Sequence, residues 1–122
     1  MVDCTELADR YIAVWNEADA ARRRALIART FTEDVRYLDP LMAAEAPAGI
    51  DRLIAGVHDR FPGHRFRRTG GVDFHHDRLR FRWELAPAGG PVFAAGTDFA
   101  IIAEDGRISA VTGFLDQAPT AG

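Results

Sequence analysis

The hydrophobic pattern of this chain changes its period once, and that change restricts the fold more than any other feature. In the first half the apolar residues recur at helical spacing. Leu7, Tyr11, Val14 and Trp15 stand at i, i+4, i+7 and i+8, and Ile50, Leu53, Ile54, Val57 and Phe61 at i, i+3, i+4, i+7 and i+11. Later the period is two: Leu79, Phe81, Trp83 and Leu85 alternate with Arg78, Arg80, Arg82 and Glu84, the pattern of a strand with one face on a core. Helices first and antiparallel strands after make an α+β plan, with a curved sheet wrapped against three N-terminal helices. A length of 122 residues suits one domain with one core, spanning 1–122.

Local signals mark the element ends. Asp3 and Glu6 have capping-box spacing before the first helix, and Asp19 is a good N-cap for a second that runs to about Ala28 or Phe31. Val35 to Leu38 reads as a short strand ended by Pro40. Met42 to Gly49, Ala-rich and interrupted by Pro47, reads as a loop, and Pro62-Gly63 stops the third helix. Arg65 to His76 is a strand disturbed at Gly70-Gly71, with a turn near Asp77. Val92 to Ala103 is apolar on both parities, so cover on both faces is expected. Asp105-Gly106 signals a hairpin into Arg107 to Asp116, and the tail after Gln117 is expected to fray.

A net charge of −3 argues against nucleic acid or an anionic membrane as partner, since both need a basic surface. No apolar run approaches the roughly 18 to 20 residues of a membrane span, and the acidic start Met1 to Glu6 is unlike a signal peptide. With the single cysteine, Cys4, these features lead to the expectation of a cytoplasmic protein. The arginines at 65, 67, 78, 80 and 82 lie near Asp73, Asp77 and Glu84 and read as a salt-bridged outer sheet face. His75 and His76, adjacent on a strand, should point to opposite faces. Without His-x-His or His-x-x-x-His spacing no metal site is expected, although one of the two could face a cavity as an acid or base.

The residue with most chemical content is Asp98, within Ala94 to Ile102. Its same-face neighbours Ala94, Gly96, Ala100 and Ile102 place the carboxyl in apolar surroundings, where desolvation raises its pKa and marks it as a functional candidate. The plainer alternative is an arginine pair or backbone hydrogen bonds. Asp39 before Pro40 is either a turn cap or a functional carboxylate at a strand end. Tyr11, on the apolar stripe of the first helix, is either core or a hydroxyl donor.

Arg10-Tyr11-Ile12-Ala13-Val14-Trp15-Asn16, Phe31 to Val35, Asp39-Pro40, Gly49-Ile50-Asp51, Gly106-Arg107-Ile108 and Gly113 to Asp116 resemble the nuclear transport factor two-like superfamily, in its SnoaL-like and ketosteroid isomerase-like branches. The resemblance covers nearly the whole chain and implies a cone, a bent sheet closed by helices around a deep apolar pocket. It also implies three roles: Tyr11 as hydroxyl donor, Asp39 as general base and Asp98 as a protonated carboxyl donor, a pairing for which ketosteroid isomerase is the standard worked case. The implied activity is enolate chemistry on an apolar carbonyl compound without cofactor or metal, in an isomerase. The alternatives are a SnoaL-like cyclase acting through one acidic group, for which Asp98 is the candidate, or a non-catalytic module binding a hydrophobic ligand. Trp15, Val57, Phe61, Phe81, Trp83 and Phe114 would line a cavity for a flat, ring-shaped small molecule, their plainer reading being ordinary core. A homodimer through the sheet face is implied by the resemblance alone.

Overall fold

The computed structural model describes residues 3–118. The element order is α1 (Cys4–Asn16), α2 (Ala20–Thr30), β1 (Phe31–Leu38), β2 (Ala43–Glu45), α3 (Ala46–Arg60), β3 (His64–His75), β4 (Arg78–Pro87), β5 (Ala94–Ile102) and β6 (Ile108–Gln117). The strands form a six-stranded sheet in the order β2-β1-β6-β5-β4-β3. Its curve, left unclosed, holds the three helices, an α+β architecture. Among the described residues no helix is long and apolar enough to cross a membrane.

The helix starts follow from local chemistry. The Asp3 carboxylate accepts the Glu6 backbone N–H at 3.0 Å and that of Asp19 accepts from Arg22 at 2.9 Å, so each satisfies an N–H that has no partner within its helix. The loop expected over Met42 to Gly49 is instead the short β2 and the first turn of α3. Pro47 does not break that helix, because a first-turn proline lacks only an N–H that would have had no intrahelical partner. The first strand is longer than expected, running from Phe31 with Val35 and Tyr37 turned inward.

One pairing departs from a purely antiparallel sheet. β1 lies parallel to β6, with Tyr37 opposite Val111 and Leu38 opposite Thr112, so the sheet is mixed. Parallel neighbours need a crossover, here supplied by everything between residues 38 and 108. β3 carries its irregularity between Thr69 and Asp73, at the glycine pair. The period-two residues behave as their pattern requires: Leu79, Phe81 and Leu85 are buried while Arg80 and Arg82 are exposed. In β5 only one parity is buried; Ala95, Thr97, Phe99 and Ile101 on the other face are half-exposed. The outer arginines pair locally, Arg80 with Asp73 at 2.7 Å and Arg67 with Glu84 through Nε at 2.9 Å. The tail beyond residue 118 lies outside the described residues.

The core joins the inner face of the sheet to the apolar stripes of the helices, with Leu7, Tyr11 and Val14 of α1, Ile27 of α2, Ile50 and Ile54 of α3, and Phe31, Val35, Phe81 and Ile108 from the strands. Two polar clasps fix the helices over it. Asn16 makes a reciprocal pair with the Phe66 backbone, both bonds 2.8 Å, and fastens the end of α1 to β3. Arg23, 5% exposed, donates through Nε to Asp51 at 2.6 Å and through a guanidinium NH to the Glu17 carbonyl at 3.0 Å, locking α2 against α3.

Candidate active site

Strand register brings two carboxyl groups together. Asp98, in the middle of β5, stands opposite Phe81 of β4 on one side and Gly113 of β6 on the other. Because Leu38 of β1 stands opposite Thr112 of β6, the next residue in β1 direction, Asp39, falls beside Gly113. Asp39, Gly113 and Asp98 thus form a row across three strands with a glycine at its centre. A Cβ at Gly113 would lie 2.9 Å from Asp98 Oδ1 and 3.2 Å from Asp39 Cβ, so any side chain there would displace the Asp98 carboxylate.

Asp98 is 4% exposed. Among the described residues no arginine and no backbone N–H reaches it. The Tyr11 hydroxyl donates to Oδ2 at 2.6 Å, and the Trp83 indole N–H to Oδ1 at 3.0 Å. Burial raises its pKa to about 6, against these two hydrogen bonds, which favour the ionised form; the neighbouring Asp39 charge adds to the rise. In this arrangement the carboxyl receives both hydrogen bonds, where the isomerase-like pattern leads to the expectation of a protonated donor. Burial, and then the Asp98 charge, hold the Tyr11 hydroxyl well above its ordinary pKa, so it stays a neutral donor.

Asp39 does both things that its sequence context allows. Oδ1 accepts the backbone N–H groups of Leu41 and Met42, both at 2.8 Å, which is a turn cap, and the residue also lines the cavity. Its Oδ2 accepts the Tyr37 hydroxyl at 2.6 Å. Three donors on one carboxylate occupy most of its lone pairs.

These groups sit in a cavity of about 80 Å³ bounded by α1, the end of α3 and the strands β1, β3, β4, β5 and β6. Tyr11, Trp15, Asp39, Val57, Phe61, Trp83, Asp98 and Phe114 all border it. Phe81 does not. It is 1% exposed and packs edge-on against Tyr11, with ring centres 5.3 Å apart, so its ring supports the wall from within the core. Phe114 and Leu41 stand at the rim, largely exposed. Such a volume is well below the roughly 300 Å³ at which drug-sized ligand pockets begin, so a ligand of several fused rings would extend past the rim.

Nine of the lining residues were not singled out from the sequence, Tyr37, Phe66, Met42 and Gly113 among them. Tyr37 was visible only as a strand residue, although its position two before Asp39 puts both side chains on one face. Phe66, Met42 and Gly113 reach the cavity through register that no local pattern encodes. The histidine pair also differs from expectation. His76 leaves β3 in a left-handed conformation, φ 54°, so the rings do not diverge and their Nδ1 atoms are 3.3 Å apart. Both are exposed and away from the cavity. Among the described residues no cluster of three or more His, Cys, Asp or Glu side chains is arranged to hold a metal ion.

Comparison with known proteins follows the same outline. The family model described as SnoaL-like domain matches residues 8–111. A candidate isomerase of the SnoaL-like family from Agrobacterium tumefaciens is similar over 93% of this chain and 97% of its own, with 42% identity and a TM-score of 0.89. A nuclear transport factor two-like protein of unknown function from Exiguobacterium sp. 255-15 covers 90% of this chain and 98% of its own at 22% identity and a TM-score of 0.72. A candidate SnoaL-like polyketide cyclase from Jannaschia sp. CCS1 covers 92% and 86% at 17% identity and a TM-score of 0.68; both of these speak to the fold alone. No curated protein matches the chain.

Proposed function

The chain belongs to the SnoaL-like domain family, and from that premise we propose that it is an enzyme moving a proton at a carbon next to a carbonyl in a small apolar compound, as an isomerase or a cyclase. The observation that carries this reading is Asp98: a carboxyl buried in an apolar cavity, held at about 6, with a phenol and an indole as its hydrogen-bond partners. A group that titrates near the working pH is a good proton carrier in both directions. Ionised Asp98 takes the proton from carbon, the carbonyl becomes an enolate, and Asp98 returns the proton to another carbon in an isomerisation. In a ring closure the enolate carbon attacks a second carbonyl of the same molecule, and Asp98 gives its proton to the alkoxide that results.

This reading gives the role of general base to Asp98, since Asp39 already accepts from Tyr37, Leu41 and Met42. A cavity of about 80 Å³ with Leu41 and Phe114 at its rim suits a single ring or a short unsaturated chain at the reacting end. The test uses cyclohex-3-en-1-one, whose conversion to the conjugated enone is followed by ultraviolet absorbance, with deuterium uptake at the α-carbon from D2O read by NMR over a set of small ketones and 1,3-diketones. Turnover or exchange above the buffer rate that disappears in Asp98→Asn is expected. Saturable binding of these compounds with no exchange would overturn the reading and leave a ligand-binding protein.

A further inference from the structure

The two hydrogen bonds on Asp98 are chemically unequal, and the difference bears on how a proton is carried. An indole N–H can only donate, whereas a phenol hydroxyl both donates and accepts. A proton on Oδ1 would face the Trp83 N–H, donor against donor, and Oδ1 also lies against Gly113, where a Cβ would come within 2.9 Å of it. A proton on Oδ2 meets Tyr11, whose hydroxyl can rotate, accept, and turn its own hydrogen away.

We propose that Trp83 is a positioning residue that confines the exchangeable proton of Asp98 to Oδ2, so that its arrival there releases the Tyr11 hydroxyl to donate to the ligand oxygen. This rests on the reading of Asp98 as proton carrier. In the proton-transfer step the C–H electron pair stays on the substrate as the enolate and the proton forms the Oδ2–H bond. The Tyr11 hydrogen then turns from Oδ2 to the enolate oxygen, and the return of the proton reverses both changes. A donor is thereby supplied when negative charge develops on the substrate and withdrawn when it disappears.

Trp83 is held to this task by a glycine. Gly96 stands opposite Trp83 in the β4–β5 pairing and two residues before Asp98 on the same face. A Cβ at Gly96 would lie 2.7 Å from Cε2 of the indole and 2.5 Å from the Phe114 carbonyl oxygen, so the ring occupies the space a side chain would take, with its nitrogen at Asp98. Phe66 packs edge-on against the indole, ring centres 5.4 Å apart. The titratable groups facing Asp98 are Tyr11 from α1, Tyr37 from β1 and Asp39 at the end of β1; β4 contributes Trp83 and β6 only Gly113. Of these, Trp83 is the donor that can never accept.

The experiment is a pH titration by NMR of unmodified protein, observing the Trp83 indole N–H and the Asp98 carboxyl carbon together. Both resonances are expected to move with one midpoint, the N–H upfield as the carboxylate is protonated; an indole signal indifferent to pH while the carboxyl titrates would overturn the assignment. In Trp83→Phe, which keeps an aromatic ring and removes the donor, the carboxyl midpoint is expected to rise by about one pH unit or more. The acid limb of kcat/KM would follow, a loss of about tenfold below it with the alkaline plateau much less affected. An equal loss at every pH would indicate a structural role only and refute the proposal. The indole titration needs no substrate, so an inactive wild-type protein would count against the proposed function and leave this assignment to its own result.

Discussion

Replacing Asp98 by asparagine should abolish turnover and at the same time make the protein more stable at neutral pH. A carboxyl moved from an ordinary 3.8 to about 6 by burial is one that folding prefers protonated. The folded state then binds more protons than the unfolded state between about pH 4 and 6, so stability falls as pH rises through that window. The native contribution is fully present below pH 4 and lost above 6, a difference of about 3 kcal/mol. Asparagine avoids that loss, because it is neutral at every pH. Its amide oxygen can accept the Trp83 N–H, and its NH2 can face Tyr11, whose hydroxyl turns to accept. Urea denaturation of both proteins from pH 4 to 8 measures the effect, and the difference between them isolates Asp98 from every other titrating group. The expected difference is near zero at pH 4, grows by about 1.4 kcal/mol per pH unit, and levels off above pH 6 at about 3 kcal/mol in favour of the variant. A pH-independent difference, or a variant less stable than the parent at pH 8, would refute the reasoning, since either would mean that Asp98 is not a carboxyl strained by burial.

The remaining predictions address catalysis, the slot and the clasp. Since the ionised carboxyl is the proton acceptor, kcat/KM for an accepted substrate should rise about tenfold per pH unit below pH 6 and level off above it; a pH–rate profile checks this, and a rate that falls across that range would contradict the assignment. Gly96→Ala forces a methyl group into the Trp83 indole and toward a backbone carbonyl that cannot yield. It should cost about 1–3 kcal/mol by denaturant unfolding and alter the Trp83 fluorescence. Arg23→Ala removes one partner of a buried ion pair and leaves Asp51 and the Glu17 carbonyl without their donor. A loss of about 3 kcal/mol is expected in the same assay, against less than 1 kcal/mol for exposed Arg80→Ala.

Much of the fold could be read from neighbours within four residues. Capping by Asp3 and Asp19, the helical recurrence of Ile50 to Phe61 and the alternation of Leu79 to Leu85 are short-range patterns, and each falls within an element of the expected type. The start of α3 was missed because Pro47 is equally compatible with a loop and with a first helical turn, and only packing on β1 and β2 decides between them. The parallel placement of β1 beside β6 has no local signature at all, since it depends on where a crossover of some seventy residues returns.

The site divides in the same way. Burial of Asp98 and the inward face of Tyr11 follow from the apolar residues around each in their own elements, which is why both stand out in the bare sequence. Their contact joins residues 87 positions apart. The row of Asp39, Gly113 and Asp98, the seat of the Trp83 indole on Gly96 and the exclusion of Phe81 from the cavity wall all depend on strand register, in which a slip of one residue turns every side chain to the opposite face. The sequence alone determined which residue types are available and which face of its own element each occupies, because those are set by backbone period. Only the tertiary structure decided that the indole and the phenol would meet on one carboxylate and tie its ionisation to the cavity, because hydrogen bonds and desolvation act over a few ångströms of space, whatever the separation along the chain.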